Sequence, residues 1–445
     1  MDRYLCGSGE AAKVIDGCGR IIRDPNETAE IRALALQNRG FAYQQSGRLD
    51  QALADYASAL ATGPSDRAVK AKIHVNLGLI HARQGDQDRA MSDYADAIAL
   101  NPDLVSAYVN RAAILMARGE HSRALSDLDQ AIRLKPRDAA LYLSRGAVHA
   151  IVGDHERAIA DFTQAIIIDP SNAEARRYRS MAYRAQGKIA EAATDAAEAA
   201  TLEPNSGDAH QSLGLSLQAA GDAERAIAEF GKAIELNPVN AEAIKARGDS
   251  YLAEGDRDRA IADFSQAIRL DPKMVDAYNN RGVAYLGRSQ WDDAIADFTT
   301  VIALSPERSS AYLNRGEAFE AKRDRIHALP DFDRTIQLDP GVIEAFRQRA
   351  FLRSEAGDSR GAIDDYDVVI ARTPQDAVAL RGRGAARLHL REFDGAVADL
   401  TAAIAINPND ALAYRFRSLA YAAKNDNKRA IDDDAAALRL GAVAR

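Results

Sequence analysis

The sequence holds 2 cysteines and 1 tryptophan in 445 residues, and aromatic residues make up only 6% of it. Alanine is abundant instead, which favours closely packed helices over a sheet with a bulky aromatic core. No run of about 18 apolar residues occurs, so no membrane span is expected. The start, Met1-Asp2-Arg3-Tyr4, lacks the apolar core of a secretory signal, although a chain from which a signal had been removed would look the same. The formal net charge is -8, without the basic face of a non-specific nucleic-acid binder, so no nucleic-acid partner is expected. HExxH, P-loop, G-x-S-x-G and EF-hand patterns are all missing, and Gly7-Ser8-Gly9 has no strand–turn–helix around it. Neither catalytic residues nor a cofactor nor a metal site are therefore expected, and the chain does not read as an enzyme.

What is present is a period. Ten prolines from Pro102 to Pro408 are spaced by 34 residues without a slip, and Pro64 precedes Pro102 by 38. Four extra residues are close to one helical turn, read as an added turn near Ser65–Lys70. Alanine stands twelve residues before each of these prolines, from Ala52 to Ala396, and Ala430 continues the series. Four residues further on comes a large apolar side chain in most repeats, as in Tyr56, Phe162, Phe264 and Leu400. That spacing puts both on one helical face. An upstream segment carries aromatic, glycine and aromatic again, as in Tyr278–Gly282–Tyr285. Glycines such as Gly85 and Gly255 separate the two segments, where a helix C-terminus is expected.

This pattern resembles the tetratricopeptide repeat, a helix–turn–helix unit of 34 residues. Twelve repeats are counted: 33–66, then 71–104 and every 34 residues to 411–444, following an N-terminal segment of residues 1–32. The resemblance implies an all-α fold, a right-handed superhelical solenoid in which stacked repeats share one core. Residues 10–23 carry Val14, Ile15, Ile21 and Ile22 in a helical pattern and are read as a lone second helix capping the array. At the other end Asp432-Asp433-Asp434 occupies a normally buried slot, so that face is expected to meet water. Pro330, inside a second helix, is expected to kink it. The alanine-rich repeat 173–206, with Ala196 in the large apolar slot, reads as a soft joint.

Ten of the twelve repeats carry arginine in the first helix, and all twelve carry an acid sixteen residues later, as in Arg39/Asp55 and Arg281/Asp297. These are expected to form salt bridges within a repeat or with its neighbour, each contributing about 0–1 kcal/mol if exposed. His74, His81, His149 and His210 fall where other repeats have tyrosine or leucine and read as packing substitutions. Cys6 and Cys18 read as a disulfide pinning the N-terminal segment to the cap helix, or as two buried thiols; no histidine lies near them to complete a metal site. The segment resembles the N-termini of bacterial exported repeat proteins, where a cysteine pair precedes the array. That likeness implies a periplasmic or otherwise exported protein, with a cytoplasmic one as the alternative.

The family resemblance also implies a partner groove on the concave face, lined by first helices. Carried over, it places Leu34, Phe41, Val75, Leu79, Val109, Met116 and Leu143 as an apolar lining in the early repeats. Asp208, Glu242, Asp249, Asp276, Glu317 and Glu320 follow in the middle. Arg347, Arg381 and Arg415 come last, flanked by Phe351, Leu388 and Leu419. The expected partner is a protein or peptide segment, its carboxylates or phosphates gripped by the arginines. The alternatives are a solvated face without a single ligand, and a self-associating assembly protein using the convex face or the solenoid ends. A monomer or weak homo-oligomer is expected. A chaperone-tail clamp does not fit, because Leu79, Ala113, Val283 and Glu317 stand where its second asparagine is needed.

Overall fold

The computed structural model describes residues 6, 7 and 9–441. Among them stand twenty-five α-helices and no strand. The chain divides into two compact bodies, one reaching to Glu229 and one starting at Phe230, with the boundary inside the helix Ala223–Leu236. Within each body a first helix packs on the second helix of its own repeat, and that second helix packs on the first helix of the next.

Local chemistry sets the helix limits. Asp86, Asp154 and Asp256 cap second helices by accepting from the amides of Arg89, Arg157 and Arg259. Asn172, Asn240 and Asp376 do the same for first helices, at Ala175, Ala243 and Ala379. The turn between paired helices needs a left-handed residue. Glycine supplies it at Gly85 (φ +81°) and Gly255 (φ +80°). Ser289, Arg323, Arg391 and Asn425 hold the same conformation with side chains, at φ 59–62°. The glycine inside the first helix has a different cause: a Cβ at Gly78 would lie 2.6 Å from the Tyr94 ring.

The helix Arg67–Arg83 has 17 residues against 13 in Val105–Ala117, so the four inserted residues do form an extra turn, capped by Asp66. The helix Ala11–Arg23 packs on Ala29–Gln45, and Cys6 is disulfide-bonded to Cys18 in a cluster with Val14, Ile21, Ala35 and Ala42. Asn38 donates to the Cys6 carbonyl at 3.2 Å and ties this segment to the first repeat.

The helix Arg325–Leu338 runs through Pro330 without a break, for the same 14 residues as Trp291–Leu304. Proline removes one amide donor, to the carbonyl of Ile326, but both residues lie on the exposed side, where water can replace it. One expectation needs correction: the triple aspartate is not uniformly solvated. Asp433 is buried against Arg417, Asp434 pairs with Arg415, and only Asp432 is exposed.

Candidate interaction surface

The ten arginine–acid pairs form the frame on which the surface is built. Each is bidentate and lies within one repeat, Nε and Nη2 donating to the two carboxylate oxygens at 2.6–2.9 Å. The remaining nitrogen often reaches back one repeat, as from Arg145 to Asp129 and from Arg383 to Asp367. The carboxylates are buried, which changes the energetics expected of exposed pairs. Hydrogen bonding to Asp297 holds Arg281 more firmly charged. Burial pushes the Asp297 carboxyl up, against the pull of Arg281. The first direction reflects attraction inside the pair and the second reflects the cost of taking it out of water. Such a pair ties the first helix of a repeat to its own second helix, and losing one partner while the other stays buried costs about 3–5 kcal/mol.

Two repeats lack the arginine: Leu77 and Leu213 stand in its place, while Asp93 and Glu229 remain. Histidines meet these acids. His74 Nδ1 lies 3.2 Å and His81 Nδ1 2.7 Å from Asp93 oxygens. His210 Nδ1 lies 2.6 Å from Glu229, and its Nε2 lies 3.0 Å from the Pro204 carbonyl. These three are polar partners and not packing substitutions, whereas His149 is buried in the expected manner. The signal was in the sequence: the acid persists where the arginine is missing, and histidine then stands three residues before the vacant slot.

Counting each repeat from its first residue, the proposed groove residues fall mainly on the fifth and ninth positions. The fifth faces the joint between repeats. Val75 is 7% exposed and packs with Ala97, Ala107, Ile98 and Leu104, so it is core and unavailable to a partner. Leu79, Val109, Met116 and Leu143 are half-buried beside the same inter-repeat clusters. The arginines at the fifth position are already paired. Arg347 bonds Asp376 at 2.8 Å and also pairs with Glu344. Arg381 bonds Asp410 at 2.7 Å, and Arg415 pairs with Asp434. In this structure the three arginines that were expected to grip a partner's carboxylates are paired with acids of their own chain. Among the acids, Asp249 is held by Lys245 and Asn280, and Asp276 by Arg308.

The ninth position is more open, although Leu79, the ninth residue of its repeat, is half-buried. Phe41 and Met181 in the first body, and Val283, Phe351 and Leu419 in the second, are 38–49% exposed. Phe41, Phe351 and Leu419 are among the residues read as groove-facing from the sequence; Met181 and Val283 are not, although they recur at the same phase. In the first body a cavity of about 410 Å³ opens between the first helices Ala139–Ile151 and Ala173–Ala185, with Ala147, Ile151, Tyr178 and Met181 around it and Phe162 beneath. In the second body Glu317 holds the ninth position between the repeats of Val283 and Phe351. Burial first, then Glu344 and Glu320, push its carboxyl up.

Helix–turn–helix repeats stacked through a shared core define the class as an α-helical repeat scaffold. Models described as "Tetratricopeptide repeat" match residues 31–103, 111–183, 207–240, 281–342 and 350–411, and one described as "TPR repeat" matches 248–288. These segments span well over half of the sequence, and the chain belongs to the tetratricopeptide-repeat family. No curated protein is significantly similar to it. Among solved structures, a tetratricopeptide repeat protein from Parabacteroides merdae is 18% identical with a TM-score of 0.47, covering 56% of this chain and 99% of its own. YrrB, described as a TPR protein with an unusual peptide-binding site, is 26% identical with a TM-score of 0.36, covering 44% and 97%. The APC/C hetero-tetramer Cut9-Hcn1 is 16% identical with a TM-score of 0.42, covering 92% and 94%.

Proposed function

We propose that the protein is a binding scaffold whose first-helix face takes up a segment of a partner protein through apolar anchors. The observation that carries this is the exposed apolar side chains at the ninth position within each body, Phe41 and Met181 in the first and Val283, Phe351 and Leu419 in the second, together with the cavity beside Met181. Exposed phenylalanine, methionine and leucine in phase cost hydration unless a partner covers them. The cavity suits one large apolar side chain of the partner. Glu317, with no cation among the described residues paired with it, suits a basic residue of the partner between two apolar anchors. Substituting Met181→Asp and Phe351→Asp, each at an exposed site, is expected to abolish capture of the partner from the source cell while leaving the melting temperature unchanged. Undiminished capture refutes the reading.

A second reading, self-association through one end, has its own observation. Ile431 and Leu438 on the helix Asn427–Arg439 are exposed, whereas their equivalents Ile363 and Ile404 are buried under the next repeat. Light scattering over a concentration series tests it: a mass that rises for the native chain and not for Ile431→Asp supports assembly. We also place the protein in an oxidising, exported compartment, a reading the Cys6–Cys18 bond supports. Two titratable thiols in denatured protein drawn from its native compartment would overturn it.

A further inference from the structure

We propose that the repeat 71–104 holds a divalent transition-metal site, zinc being the best match, formed by His74, Asp93 and Asp96. Leu77 removes the arginine that pairs with the acid in ten other repeats, so Asp93 has no guanidinium. Its two oxygens face two imidazoles instead: His74 Nδ1 at 3.2 Å and His81 Nδ1 at 2.7 Å. An Asp96 oxygen lies 4.0 Å from the same His74 nitrogen. The three donor atoms of His74, Asp93 and Asp96 all fall within 4.8 Å of one another.

The spacing suits the ion. Bonds of about 2.0–2.1 Å in a tetrahedral site put neighbouring donors roughly 3.3–3.4 Å apart, so small side-chain rotations close the set. His74 coordinates through Nδ1 with its proton on Nε2. His81 then serves as a positioning residue, donating from Nδ1 to the second Asp93 oxygen and fixing that carboxylate. Asp96 stands at the exposed edge, which leaves the fourth coordination position open to water. The ion would clamp the first helix Arg67–Arg83 to the second helix Gln87–Leu100, as the guanidinium does elsewhere.

The other repeat without the arginine provides an internal control. His210 and Glu229 repeat the His74–Asp93 relationship, but Lys232 stands at the position of Asp96. A cation in that place disfavours a metal, and the His210 ring is engaged on both sides, by Glu229 and by the Pro204 carbonyl.

The test is calorimetric titration of the chelator-stripped full chain with zinc ion, followed by the visible spectrum of the cobalt form. One site is expected, with tetrahedral cobalt bands. His74→Ala and Asp96→Asn are each expected to weaken zinc by about tenfold or more, His81→Gln by about tenfold, and His210→Ala not at all. Asp96 is exposed, so Asp96→Asn reports on the metal without endangering the fold; circular dichroism confirms both. Zinc binding that is undiminished in Asp96→Asn and His74→Ala overturns the proposal. So does a native chain that takes up no zinc at micromolar concentrations, and the cluster is then an imidazole–carboxylate hydrogen bond only.

Discussion

Arg381 donates to one oxygen of Asp410 at 2.7 Å while the other oxygen of Asp410 accepts from the Ala413 amide at 3.1 Å. A single buried carboxylate thus caps the first helix of one repeat and ties it to the first helix of the repeat before. Asp376 does the same for Arg347 and the Ala379 amide. Asp410→Asn keeps an acceptor for the cap and gives up the ion pair, an expected cost of about 1 kcal/mol. Asp410→Ala gives up both, with an expected cost of about 2–3 kcal/mol. Denaturation midpoints in urea separate the two; equal losses would mean that only one of the contacts matters.

The arginine ladder makes a sharper prediction. Arg281→Ala leaves Asp297 buried and uncompensated and is expected to cost about 3 kcal/mol or more. Replacing both residues by methionine is expected to cost much less, since no buried charge remains. A double-mutant cycle on these two sites checks this, and additive losses would contradict it.

Two local changes are expected to stabilise the chain. Pro330→Ala restores an amide donor inside a helix and is expected to add about 1–3 kcal/mol. Arg391 sits at φ 62° where most other repeats have glycine. Arg391→Gly is expected to add up to about 1 kcal/mol by relieving the left-handed strain. Thermal melts of the single variants decide both.

Glu317 gives a pH-dependent outcome. Its carboxyl is held above the ordinary value, first by burial, so ionising it opposes folding. That cost is absent below the ordinary carboxylate range and grows as pH rises through the raised value. Glu317→Gln is therefore expected to raise the melting temperature at neutral pH and to leave it unchanged at about pH 3.5. An equal shift at both pH values would place the effect elsewhere.

The prolines, the small alanines and the aromatic knobs made the repeat length, the helix pairs and the ladder legible, because each is a steric or covalent requirement recurring in phase. Spacing also brought Arg39 to Asp55 and the other nine pairs to their acids. It could not separate Val75 from Phe351. Both lie on first helices, but a helix inside a solenoid touches its own partner, the next repeat and solvent, and the width of each face depends on how neighbouring repeats nest. The fifth position lies at the joint between repeats for that reason, whereas Met181 and Val283 at the ninth are exposed. The arginines at the fifth position look free in a linear sequence because their acids are 29 residues on for Arg347 and Arg381, at the N-cap of the next repeat's first helix.

The central claim is that the ninth-position row is where the partner lies. Its most direct test places a photo-crosslinking residue at Phe351 and, separately, at Ile326, which is exposed on a second helix. After irradiation in the source cell, a partner protein is expected to be attached at Phe351 and absent at Ile326. Attachment at Ile326 with none at Phe351 would contradict the account.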